Sequence, residues 1–75
     1  MNLPEQVKSR IREMIANEDP TLTTSLERYK DFKYTSETQL EKTFDPERRK
    51  IVQSKIDFYT DLVDFIESEM HQKKH

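Results

Sequence analysis

Not one residue of this chain is glycine. That omission removes whole classes of fold and chemistry. Loops that cradle phosphate, dinucleotide fingerprints and nucleophile elbows all need a residue without a Cβ, where backbone turns sharply or approaches a ligand closely. Tight two-residue β-hairpins also favour glycine. Helices joined by turns of Asn, Asp and Pro do not need it, and such turns fall at residues 17–20 and 45–46. An all-α fold is the first expectation.

The last segment has the most regular pattern. Asp45, Pro46 and Glu47 supply an N-cap, a proline at the first helical position and an acid in the first turn. Beyond them Val52, Ile56, Tyr59, Val63, Ile66 and Met70 step alternately by four and three, the spacing of a coiled-coil seam. A second apolar set, Ile51, Phe58, Leu62 and Phe65, lies roughly 100° away around the same cylinder. Together they predict one long amphipathic helix over residues 46–70, followed by a polar tail at 71–75.

Upstream signals are weaker. A first helix over residues 4–17 starts at Pro4, with Asn2 and Glu5 resembling a capping box. Val7, Ile11, Met14 and Ile15 share its apolar stripe, and Asn17 is a suitable left-handed stop. A second helix over 20–33 starts from Asp19-Pro20, in competition with a capping box at Thr24 and Glu27. Leu22, Leu26 and Tyr29 share a face, with Phe32 at its edge. Lys33, Ser36 and Glu37 then fall where core residues belong, so a break is expected near Tyr34-Thr35-Ser36. A short third helix over 36–44 follows, with Ser36 and Gln39 at its cap and Leu40 and Phe44 on its stripe. Two alternatives stay open: one continuous helix over 20–44, or a short extended piece at 32–35. The expected fold is a single domain, 1–75, forming a small three- to four-helix bundle with a long amphipathic C-terminal helix.

Two arguments give that helix a partner. A 75-residue chain buries only about 60% of its unfolded surface, and without cysteine no disulfide reinforces it. Some 25 helical residues span about 38 Å, whereas a compact domain of this length measures roughly 29 Å across. The helix should therefore overhang. Its charge order is also inverted: Arg48, Arg49 and Lys50 sit near its N-terminus, and Asp57, Asp61, Asp64, Glu67 and Glu69 follow toward its C-terminus. The helix dipole prefers the reverse, and Asp57 with Asp61 is a like-charge i,i+4 pair. An antiparallel neighbour compensates such an order. Helix one, through Lys8, Arg10 and Arg12, is one candidate. A second copy is the other, which predicts completion by an antiparallel homodimer. The expected interface is Val52, Ile56, Tyr59, Val63, Ile66 and Met70 on one seam and Ile51, Phe58, Leu62 and Phe65 on the other. Arg48, Arg49 and Lys50 would pair there with Asp57, Asp61 and Asp64.

Candidate chemistry is sparse. The two histidines, His71 and His75, lie in the tail, so no serine triad has a base in the folded body. Glu67 with His71, or His71 with His75, has i,i+4 spacing for a metal but sits at a helix end. Asp57, Asp61 and Asp64 point away from the apolar rows, unlike inward-facing carboxylate metal sites. No catalytic residue, cofactor or metal is therefore assigned. Net charge is −2, with basic residues in three separate patches at 8–12, 28–33 and 48–50. Such balance disfavours nucleic acid as a partner. No apolar run reaches the ~18 residues of a membrane span, and no signal peptide is visible, so a cytoplasmic location is expected. Phased apolar residues, aromatic anchors and a charged rim suit helix-to-helix contact. The sequence reads as a small protein-binding module (an adaptor, inhibitor or chaperone-like regulator) with an unidentified protein partner and no enzymatic activity. The alternative is a small nucleic-acid-associated helical protein. Tyr34, off every stripe, is the aromatic expected at the surface.

Overall fold

Pro4 stands immediately before the first helix, at its N-cap. Its backbone, at φ −59° and ψ 146°, is outside the helix, while its carbonyl accepts the Val7 and Lys8 amides at 3.1 Å each. The computed structural model describes residues 3–73, apart from the side chain of Lys73. Among these residues there are three helices and no strand: α1 (Glu5–Ala16), α2 (Thr21–Glu41) and α3 (Pro46–Lys73). Asn2 of the expected capping box lies outside the described residues. Leu3, which the periodicity did not single out, is buried in the core just ahead of α1.

α1 ends in a Schellman motif. The Glu18 amide donates to the Ile15 carbonyl at 3.1 Å and the Asp19 amide donates to the Met14 carbonyl at 3.0 Å. The left-handed residue is Glu18, at φ 54°, whereas Asn17, expected to be the stop, is right-handed at φ −86°. The motif needs its left-handed residue one place after the cap, where a glycine-free sequence has put glutamate. The Cβ of Glu18 makes this conformation costly. Glu18→Gly should therefore stabilise the chain by about 0.5–1 kcal/mol, the relief at the turn exceeding the added unfolded-state freedom. Urea unfolding checks this, with a higher midpoint at unchanged slope.

Asp19 starts α2. Its Oδ1 accepts the Thr21 amide at 2.9 Å and the Thr21 hydroxyl at 2.7 Å. The expected cap is formed, and Thr24 and Glu27 lie inside the helix. The Asp19 carboxyl is held below its ordinary range by the Thr21 hydroxyl first and the Thr21 amide second. Slight burial opposes this, and the charge of Arg10 helps it. A carboxylate depressed in the folded state stabilises it fully above the unfolded value, and that contribution fades as pH falls through the folded value. Wild-type stability should therefore drop between about pH 5 and about pH 3 more than that of Asp19→Ala. Parallel urea titrations at both pH values test this, and equal drops would refute it.

The break expected near Tyr34-Thr35-Ser36 is absent. α2 runs unbroken through these residues to Glu41, so the short third helix and its Ser36–Gln39 cap do not exist, and neither does an extended piece at 32–35. The reason is visible in the register. Leu22, Leu26, Tyr29, Lys33, Ser36 and Leu40 step by four and three without a slip. Polar residues occupy two places in a seam whose geometry stays helical. Ser36 is buried there, and half-buried Lys33 offers an aliphatic stem as apolar cover.

The row on α2 faces the matching row on α3, and the two helices pair antiparallel along most of their length. Val52, Ile56, Val63 and Ile66 are buried, Ile66 completely (0% exposed). Tyr59 meets Tyr29 and Phe32 of α2, with ring centroids 6.5 and 5.6 Å apart. α3 extends beyond the expected residue 70 to Lys73. The helical tail therefore includes His71 and Gln72. α1 runs parallel to α3 and rests chiefly on it, touching α2 least. The body measures 44 × 21 × 18 Å, with a radius of gyration of 14.1 Å. A 28-residue helix rising 1.5 Å per residue accounts for that length. No helix among the described residues is long and apolar enough to cross a membrane.

Candidate functional site

The rest of the surface follows from a mismatch of lengths. α1 has 12 residues and α3 has 28, so α1 covers less than half of the row on which it rests. That row is Arg48, Ile51, Lys55, Phe58, Leu62, Phe65, Glu69 and Gln72, stepping by three and four along α3. Its C-terminal half lies under α1. Leu62 is buried, and Phe58 and Phe65 are half-buried against the core. Arg12 of α1 closes this contact: its Nε donates to Glu69 Oε1 at 3.0 Å, and its guanidinium lies 5.3 Å from the centre of the Phe65 ring. This end of the molecule has three helix layers and the main core.

Among the described residues, no helix lies above the N-terminal half of the same row. There the α2–α3 hairpin stands alone, and Ile51 is 60% exposed. Beside it Phe44, in the connection from α2 to α3, is 86% exposed. Both open into a cleft of about 510 Å³, floored by buried Val52 and edged by Lys42, Arg48 and Lys55. Asp45 is its acidic neighbour and lies 4.0 Å from Arg48. A separate groove of about 490 Å³, more apolar than this mixed cleft, lies between α1 and α2 at the other end, with Phe58, Leu62 and Ile66 in its lining.

The seam residues expected at an interface have their places inside the chain. Val52, Ile56, Val63 and Ile66 are covered by this chain's own α2, and Tyr59 and Met70 are half-buried. Leu62 is buried, Phe58 and Phe65 are half-buried, and Ile51 is open to solvent. Of the two rows, Ile51 is the apolar residue that the fold leaves most available.

The inverted charge order of α3 is met within the chain, chiefly by α2. α2 is the antiparallel neighbour, so its C-terminal carbonyls lie beside the N-terminus of α3. Arg49 Nη1 donates to the carbonyl oxygens of Leu40 and Thr43, at 2.9 and 2.7 Å. A cation that opposes its own helix dipole thus serves the negative end of the next helix. Toward the other end, Lys30 of α2 lies 3.9 Å from Glu67, and Arg12 of α1 holds Glu69. Lys50 pairs locally with Glu47 at 4.0 Å, as Lys8 does with Glu5 at 3.7 Å. Asp57 accepts a hydrogen bond from Gln53 at 3.0 Å, Asp61 is half-buried, and Asp64 is exposed. Each of the three basic patches commits at least one cation to a contact inside the chain.

Tyr34, 72% exposed, is at the surface as its place off the stripe implies. Phe44 is more exposed still, although it was expected on a helical stripe. With α2 ending at Glu41, Phe44 belongs to a connection and has no helical face to share. Among the described residues no three His, Asp or Glu side chains gather as a metal site would require. No protein-family profile, curated protein or solved structure matches the chain.

Proposed function

We propose that this chain is a small protein-binding module that works by helix-to-helix contact, without catalysis or cofactor. The observation supporting this reading is the half-covered row on α3. Its proximal half already binds a helix, α1, through apolar knobs and one charged clasp. Its N-terminal half continues the spacing with Ile51 exposed, and exposed Phe44 of the α2–α3 connection lines the same cleft, an adjacent apolar pair that suits contact with another surface. The absence of cysteine fits a reducing compartment such as the cytoplasm, where we place it.

Selection of peptides from a random displayed library against the immobilised chain tests this. Enriched peptides should show apolar residues at i, i+3 or i+4 and i+7, and Ile51→Glu should abolish their capture. Ile51→Glu alters an exposed site, so circular dichroism should show it folded. Enrichment without helical periodicity, or capture unaffected by Ile51→Glu, would refute the reading.

A further inference from the structure

We infer that the distal cleft takes an acidic amphipathic helix, lying on α3 along the line that α1 follows at the other end. This rests on the helix-binding reading above and names the chemistry of the partner. The argument is one of charge along a single row. Where α1 covers it, the row ends in an acid, Glu69, and α1 answers with a cation, Arg12. Where the row is uncovered, its polar members are the cations Arg48 and Lys55, and Lys42 joins them from the end of α2. The helix that answers these residues has acids on its flanks and apolar residues between them, set over Ile51 and Phe44.

The open stretch from Pro46 to Lys55 is about 15 Å long, enough for close to three helical turns. A polyanion fits less well. A polyanion binds by charge alone, and Arg48 and Lys50 at this end already have Asp45 and Glu47 at 4.0 Å, whereas an acidic amphipathic helix adds apolar contact with Ile51 and Phe44. A second copy also fits less well, because a two-fold axis through the cleft would set Lys42, Arg48 and Lys55 against their own images.

The test uses the full chain and fluorescein-labelled helical peptides about 14 residues long. One has leucines at i, i+3, i+4 and i+7 flanked by glutamates, and its counterpart has lysines in place of every glutamate. Fluorescence anisotropy should show the acidic peptide binding at least about tenfold more tightly, with the difference shrinking in 0.5 M salt. The double variant Arg48→Glu, Lys55→Glu should reverse the preference. Both positions are exposed, and circular dichroism checks the fold of that variant. Equal binding of both peptides overturns the acidic assignment and leaves the helix-binding reading standing. Binding of neither peptide overturns both. A 20-base-pair duplex or a phosphatidylserine vesicle held more tightly than the acidic peptide, and released by the double variant, overturns the inference in favour of a polyanion or a lipid surface.

Discussion

Ile66→Ala should remove most of the stability of this chain. Ile66 is completely buried, in the core cluster to which all three helices contribute. Truncating such a side chain costs about 3–4 kcal/mol, from lost transfer energy and the cavity left behind. A domain of this length has on the order of 4–11 kcal/mol in total, and small scaffolds lie near the lower end. Thermal unfolding followed by circular dichroism should show a midpoint lowered by roughly 12–32 °C. Ile51→Ala is the paired control. It lies on the same helix, but 60% of its surface is already in water, so its loss should stay within about 0.5 kcal/mol. Comparable losses for the two would mean that Ile51 is buried in solution by another copy. That would support the homodimer expected from the sequence.

Arg49→Ala should have the second largest effect, and it is a surface substitution. Surface changes usually matter little. This one removes both donated bonds to the Leu40 and Thr43 carbonyls, together with a cation at the C-terminal end of α2. Hydrogen bonds from charged donors and helix-end charges together suggest a cost of about 1–2 kcal/mol after allowance for solvent. Arg49→Lys should recover part of it, because a lysine keeps the charge and loses the fork. Amide exchange should also quicken in the last turn of α2 and the start of the connection, at residues 38–43. A change in urea midpoint equivalent to less than about 0.3 kcal/mol would show that the antiparallel packing does not use the inverted charges of α3.

The charges near the start of α3 show both the reach and the limit of sequence reasoning. The inversion is plain in the sequence, and an antiparallel neighbour is a sound physical answer to it. Whether that neighbour is α1, α2 or a second copy depends on how long α2 is. The expected break near Ser36 hid this, because it shortened the helix that lies along most of α3. Apolar content misled there: Lys33 and Ser36 keep the four-three register of the α2 seam while offering little hydrophobic signal. The register itself, followed through polar residues from Leu22 to Leu40, would have shown one helix. The long helix, its two rows and the Asp19 cap were legible because each rests on spacing or on local turn chemistry. Glu18 was not legible, since a left-handed glutamate contradicts the residue preference that marks such positions. Phe44 was misplaced for a related reason: its exposure follows from where α2 stops, and that lies in the backbone rather than in the pattern.

The half-covered row on α3 is the feature on which the functional account depends, and amide chemical shifts observe it residue by residue. A titration of the ¹⁵N-labelled chain with the acidic helical peptide should move resonances between residues 42 and 55, Ile51 and Lys55 foremost. Those of Leu22, Ser25 and Met14 in the α1–α2 groove should stay in place. Shifts concentrated at the groove, with residues 42–55 unmoved, would contradict the account.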